Sequence, residues 1–94
     1  MLPKHRISTH PGEILLEEFL KPMGITQSDF AKHIGVPFQR LNEITTGKRG
    51  ISPETAWLFS QALGTTPELW TSLQAAHDLT KHRLTRRVRP IRAA

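Results

Sequence analysis

The segment from 27 to 47, QSDFAKHIGVPFQRLNEITTG, constrains the fold more than any other part of this chain. Its apolar residues recur at helical spacing on both sides of Gly35-Val36-Pro37, which predicts two short helices joined by a tight corner. Gly35 stands where the chain must turn sharply, at a positive φ that glycine adopts without strain. Pro37 presets φ for the first turn of the next helix. This is the spacing of a helix-turn-helix, whose second helix enters a DNA major groove.

The length of 94 residues predicts one domain with a small helical core. No apolar run approaches the ~20 residues that cross a bilayer, and the first residues lack the apolar centre of a signal peptide. We therefore expect a cytoplasmic protein without membrane association. The chain has no cysteine, which excludes disulfides and thiolate metal sites.

The net charge of +5 is spread unevenly along the chain. Residues 1–80 contain seven Lys/Arg and eight Asp/Glu, a net charge of −1, whereas the last fourteen residues contain six basic residues and no acid. Two interpretations of this end remain open. It is either a solubilising disordered tail or an arm that seeks nucleic-acid phosphates and adds sequence-independent affinity.

Cap and breaker residues mark three further helices. One begins near Pro11 and ends at Pro22 and Gly24. The fourth and fifth helices begin at Ser52-Pro53-Glu54 and Thr66-Pro67-Glu68, each a side-chain cap, a first-turn proline and an acid that complements the helix dipole. Strand patterns are absent. We expect an all-α fold of five helices, with a lead-in at 1–8, a helix-turn-helix domain at 9–80 (the motif at about 26–46) and a basic, disordered tail at 81–94.

The outward face of the second motif helix contains the candidates for reading DNA bases. If Leu41 and Ile44 face the core, helical geometry turns the neighbouring side chains outward. A single asparagine or glutamine side chain can form two hydrogen bonds with adenine. An arginine side chain can form hydrogen bonds with guanine or with a phosphate. The predicted base-reading residues are Phe38, Gln39, Arg40, Asn42 and Glu43.

Two of these candidates have open alternatives. Phe38 is either a partly buried core aromatic or a contact for a thymine methyl group. Glu43 would repel phosphate, so it either accepts from a cytosine amino group or anchors Arg40 or Arg49.

Donors at the ends of the motif helices suit contacts that fix the register on DNA without reading sequence. For Lys48-Arg49 the alternative is an ordinary solvated turn. The predicted phosphate-binding residues are Gln27, Ser28, Thr46, Lys48 and Arg49.

Two motifs about 34 Å apart on a two-fold axis normally share one DNA site, so we expect a homodimer. Trp70 and Leu73 are expected to close the monomer core, which leaves Leu69, Ala76 and Leu79 as a second apolar stripe. Alternatively, the whole stripe serves one small core. Trp57 and Leu58 are further candidates for a partner surface. The predicted dimer interface consists of Leu69, Leu73, Ala76 and Leu79.

Metal, cofactor and catalytic sites are not predicted. The histidine pairs His77 and His82, and His5 and His10, are each five residues apart, which does not place either pair on one helical face. No nucleophile elbow and no glycine-rich phosphate loop is present. The sequence therefore indicates a protein that is not an enzyme.

The chain resembles the HigA-type (VapI-like) antitoxins of the lambda-repressor-like, Xre-type helix-turn-helix class. The resemblance lies in HPGEILLEEFLKPMGITQSDFAKHIGV, VPFQRLNEITTGKRGISPETA and ALGTTPELWTSLQAAHDL, and extends from about residue 8 to 80. It implies a five-helix domain that dimerises on a palindromic operator ahead of its own operon. It also implies a partner, a small toxin that cleaves messenger RNA on the ribosome.

The resemblance leaves the toxin-binding surface open. Such toxins are typically basic, so the acidic face of the first helix, Glu13, Glu17 and Glu18, is a candidate, although it is equally a solvated helix face. Two alternative functions remain. One is a stand-alone Xre-type repressor without a toxin, and the other is a protein- or RNA-interaction module that uses the motif as a scaffold.

Overall fold

The computed structural model describes residues 7–92, which form five helices and no strand. The predicted all-α class is confirmed. Most of the lead-in, including His5, and the last two residues of the tail lie outside the described residues. The first helix, α1, passes without a break through three segments, and the other helices follow in chain order. Their bounds are Pro11–Ile14, Leu15–Leu20 and Lys21–Met23 for α1, Gln27–Ile34 for α2, Phe38–Thr45 for α3, Pro53–Leu63 for α4 and Pro67–Lys81 for α5.

The helix α1 continues through Pro22, so the prediction that this proline helps to end the helix is wrong. In a regular α-helix the proline ring clashes with the carbonyl four residues earlier. Here the six residues Leu15–Leu20 form a wider π-helical segment just before it, which makes room for the ring. The helix ends at Met23, because Gly24 adopts the left-handed conformation.

The predicted side-chain caps are confirmed. The hydroxyls of Thr26, Ser52 and Thr66 each accept a hydrogen bond from the backbone N–H three residues later, at 3.1 to 3.2 Å. Each bond satisfies one amide that has no partner within its helix. These caps fix where α2, α4 and α5 begin.

The core lies where all five helices meet. Trp70 of α5 is fully buried against Phe59 of α4, with ring centroids 5.1 Å apart, and Phe59 in turn packs on Phe30 of α2 at 5.7 Å. The indole N–H of Trp70 donates to the Thr65 hydroxyl at 2.8 Å, so its burial leaves no polar atom unpaired. The side chains buried with them are Leu15, Leu20, Ala31, Leu41, Ile44, Ile51 and Ala56.

The start of α1 packs directly on the end of α3. Gly12 is buried, and a Cβ atom placed on it would overlap the carbonyl group of Ile44. Only glycine permits this approach of two backbones. The contact holds α3 in place from the side opposite to its exposed face.

Both ends of the helical domain meet on α5. The Ser8 amide donates to the Thr80 hydroxyl at 2.8 Å, and the Ser8 carbonyl lies 2.7 Å from Nδ1 of His77. After His82, residues 83–92 form neither helix nor strand and every side chain is exposed. None of the helices between residues 7 and 92 has the length and apolar content needed to cross a membrane.

Candidate nucleic-acid interface

The corner between α2 and α3 turns one face of α3 away from the protein. Gly35 has a φ of 76°, as predicted, and the Val36 amide donates to the Ala31 carbonyl at 3.0 Å. Leu41 and Ile44 are buried, so the opposite side of α3 faces solvent.

Phe38 and Gln39 are the most accessible candidates on this face. Phe38 is 49% exposed and is not among the residues packed in the core, so its ring is accessible on this face. Gln39 is also exposed, and its amide group is available for paired bonds to a base.

Asn42 is half-buried and is held by the first residue of α2. Its Nδ2 donates to Oε1 of Gln27 at 3.3 Å, and the Thr45 hydroxyl donates to the same oxygen at 2.9 Å. Asn42 Oδ1 and Gln27 Nε2 take no part in these bonds. This network was missed from the sequence, because residues 15 and 18 positions apart give no local pattern. It makes Gln27 a positioning residue for Asn42 as well as a phosphate candidate.

Arg40 points along the protein surface toward α4. Its Nη2 lies 3.2 Å from Oε1 of Glu54 and 3.3 Å from the Thr55 hydroxyl. Because the Glu54 side chain is 75% exposed, this ion pair is worth only about 0–1 kcal/mol and opens at little cost. Arg40 Nη2 therefore reaches a base or a phosphate only by leaving Glu54 and Thr55.

Glu43 anchors Arg49, one of the alternatives left open by the sequence. Its Oε1 accepts a hydrogen bond from Nε of Arg49 at 2.9 Å and forms an ion pair with Nη2 at 2.9 Å. The pair lies beside Gln39 and Arg40 around a shallow depression of about 300 Å³. The carboxylate is thus partly neutralised on the face where it would otherwise repel phosphate.

The candidate phosphate-binding residues differ in whether their donor groups already have a partner within the protein. Ser28 and Lys48 are exposed. The Thr46 hydroxyl already donates to the Asn42 carbonyl at 2.8 Å, so it must rotate before it donates to a phosphate. Arg49 has the partner described above.

The predicted dimer stripe on α5 is partly used within the monomer. Leu73 packs against the core and Ala76 is half-buried, whereas Leu69 and Leu79 are 38% and 59% exposed. An apolar edge therefore remains at the surface of α5. On α4, Trp57 is 57% exposed and Leu58 is half-buried.

The acidic face of α1 is open to solvent. Glu13, Glu17 and Glu18 are all exposed, and Glu17 pairs with Lys21 at 2.7 Å. The face is therefore accessible to a basic partner.

The fold brings together two histidines that were not paired from the sequence. The rings of His10 and His77 lie edge to face, 4.8 Å apart. His10 Nδ1 accepts from the Gly12 amide at 2.9 Å and caps α1. Burial, and then the neighbouring His77, lower the pKa of His10. Sequence spacing cannot reveal a contact made between α1 and α5.

Comparison with known proteins identifies the class. The helix-turn-helix family profile matches residues 16–70, more than half of the chain. Virulence-associated protein I of Dichelobacter nodosus is 44% identical over 70 residues, which cover 74% of this chain and 65% of that protein. Antitoxin HigA-1 of Vibrio cholerae is 41% identical over 68 residues, which cover 72% of this chain and 64% of that protein. The chain thus spans slightly less than two thirds of the length of these two relatives.

A solved structure extends the likeness to three dimensions. Antitoxin GraA in complex with its operator superposes with a TM-score of 0.77 and is 41% identical, over 86% of this chain and 82% of that one. The fold and the exposed α3 are those of the helix-turn-helix family of DNA-binding domains. The chain belongs to the Xre-type helix-turn-helix family, in the branch that contains the HigA and GraA antitoxins.

Proposed function

We propose that this protein is a cytoplasmic antitoxin that binds a palindromic operator as a dimer and represses its own toxin–antitoxin operon. In the same proposal it neutralises a cognate messenger-RNA-cleaving toxin. The observation that carries the DNA-binding part is the outward face of α3, where Gln39 is exposed and Asn42 is oriented by Gln27. The likeness to GraA, which was solved in complex with its operator, supports DNA binding by this fold.

Base recognition follows from the chemistry of α3. Gln39 and Asn42 each offer a donor and an acceptor that match the N6 and N7 edge of adenine. Phe38, at the start of the helix, offers an apolar edge to a thymine methyl group. Arg40 reads guanine when it leaves Glu54, and Glu43 keeps Arg49 in place beside it.

Phosphate contacts would hold α3 in its register. Ser28 and Gln27 lie at the N-terminal end of α2, where backbone amides and the helix dipole favour an anion. Just after α3, at its C-terminal end, further phosphates of the DNA backbone would be bound by Thr46, Lys48 and Arg49.

The dimer places two copies of α3 on one side of the duplex. The stripe formed by Leu69, Leu73, Ala76 and Leu79 supplies a self-complementary surface, of which Leu69 and Leu79 are the accessible part. Successive half-sites about 34 Å apart would then face the protein.

The toxin-binding part is supported by the antitoxin names of the relatives and by the open acidic face of α1. Glu13, Glu17 and Glu18 would meet a basic toxin there through electrostatic complementarity.

Two experiments test the proposal. A mobility-shift titration compares the palindrome upstream of this gene with a shuffled duplex of equal length, and we expect the palindrome to bind at least 100-fold more tightly, since specific binding normally exceeds non-specific binding by about 10³ or more. Equal binding would refute the proposal.

Co-purification with the product of the adjacent reading frame then separates an antitoxin from a stand-alone repressor, which would emerge alone.

A further inference from the structure

We infer that residues 81–92, called the arm, bind DNA and supply most of the electrostatic affinity of the protein for the duplex. This inference rests on the proposed DNA binding and adds a second contact, outside the helix-turn-helix.

The helical domain itself has little positive charge to offer. Residues 7–80 contain five basic and eight acidic side chains. A surface with this balance does not attract a polyanion, yet phosphate neutralisation supplies essentially all non-specific affinity of proteins for DNA. We therefore look to another part of the chain for the positive charge that neutralises DNA phosphates.

Most of these basic side chains are also already engaged in ion pairs. Three of the five basic side chains in residues 7–80 already have carboxylate partners, and these pairs are Lys21 with Glu17, Arg40 with Glu54 and Arg49 with Glu43. Within this range only Lys32 and Lys48 have no ion-pair partner. A phosphate that recruits Arg40 or Arg49 must compete with Glu54 or Glu43 for the guanidinium group.

The arm has the opposite character. Its six basic residues have no acidic residue among them: Lys81, Arg83, Arg86, Arg87, Arg89 and Arg92. Every arm side chain is exposed, and the large apolar residues Leu84, Val88 and Ile91 pack on nothing, at 77%, 70% and 101% exposure. Beyond Lys81 and His82, which end α5, the arm therefore does not contribute to the core of the helical domain.

The arm begins next to the turn that follows α3. Lys48 and Lys81 both line one polar depression of about 360 Å³, together with Asp78. The arm therefore starts at the same depression as Lys48, the proposed phosphate contact. The eleven residues that follow Lys81 span up to about 36–40 Å when extended, which is more than one helical turn of DNA. The arm can thus follow the phosphate backbone away from the major groove that α3 occupies.

The test is the salt dependence of DNA binding by the full-length chain. Each neutralised phosphate contributes about 0.9 to the slope of log K against log salt. Changing Arg83, Arg86, Arg87 and Arg89 to Gln should lower the slope by about 3–4 per subunit. The loss should be equal on the operator duplex and on a shuffled duplex, because phosphate contacts do not read sequence. The same four positions changed to Lys keep the charge and should keep the slope.

Each result has a defined meaning. If the parent chain does not prefer the operator over the shuffled duplex, the proposed function fails. If it does, but the Gln variant keeps the parental slope, the arm does not bind DNA and only the inference about the arm fails. Light scattering should give the same oligomeric state for parent and variants, and loss of the oligomer in the Gln variant would also overturn the inference.

Discussion

Gly12 and Ile44 meet backbone to backbone where the start of α1 crosses the end of α3. No side chain separates them, so the position of the base-reading helix depends on a contact that tolerates no additional atom. Gly12 was not singled out from the sequence, because a glycine in the first turn of a helix normally attracts no attention.

Gly12→Ala should destabilise the protein by about 1–3 kcal/mol or more, since the added methyl group meets the Ile44 carbonyl and neither backbone can yield. Urea unfolding followed by circular dichroism measures the change. Glu18→Ala, an exposed change on the same helix, should stay within about 0.5 kcal/mol. Equal stability of the two variants would show that α1 can shift away from α3.

Gln39→Ala should cost about 1–3 kcal/mol of operator binding and relax the preference at one base pair. The reason is the loss of a paired contact to a base edge. Titrations against operators altered one position at a time measure both effects. Gln61→Ala, the same change at an exposed position of α4, should leave every affinity unchanged. Our base-reading assignment is wrong if Gln39→Ala binds all operator variants as the parent does.

Gln27 and Asn42 should behave as one unit. Removing Gln27 frees Asn42 Nδ2 and the Thr45 hydroxyl from their shared acceptor, so Asn42 loses its orientation. In a double-mutant cycle on operator affinity with Gln27→Ala and Asn42→Ala, we expect a coupling energy of about 0.5–3 kcal/mol. Additive single effects would indicate that Gln27 contributes only its own phosphate contact.

Lys48→Ala should weaken binding to all duplexes alike and reduce the salt slope by about one unit. The side chain is exposed and unpaired beside α3, so its only expected role is to neutralise a phosphate. Lys32→Ala removes an equally unpaired lysine near the far end of α2 and is the matched control. A sequence-dependent loss in Lys48→Ala would instead place this lysine in a groove.

Protonation of His10 should destabilise the fold. Burial and the neighbouring His77 lower the pKa of His10 in the folded protein, so the unfolded chain takes up the proton first as the pH falls. The His10 contribution to stability is complete above the ordinary histidine pKa of about 6.5. It is lost progressively as the pH drops through the lower folded value.

Urea midpoints measured from pH 7.5 to 5 follow this loss. His10→Asn keeps a side-chain acceptor for the Gly12 amide but does not titrate, so its midpoint should depend less on pH. If this variant and the parent lose stability in parallel, another group is responsible.

Local sequence features predicted the helices well. The caps at Thr26, Ser52 and Thr66 and the left-handed Gly35 follow from interactions within four residues, which the sequence displays directly. The continuation of α1 through Pro22 did not follow, because a π-helical segment has no recognised sequence pattern.

The sequence predicted which residues lie on the exposed face of α3, but not the hydrogen bonds that they form with other helices. Helical periodicity alone places Gln39 outward, since it needs only the burial of Leu41 and Ile44. The partners of Arg40 and Asn42 come from other helices and depend on how those helices pack. Which side chains are already engaged before DNA arrives is therefore a property of the tertiary fold.

The bonds of Ser8 to Thr80 and His77 have a practical consequence for handling this protein. They bring the first and last residues of the helical domain to a single corner, although the termini of the chain itself lie beyond it. The same adjacency makes the domain suitable for circular permutation, with a short linker joining residue 8 to residue 80 and new termini placed in the loop after α4.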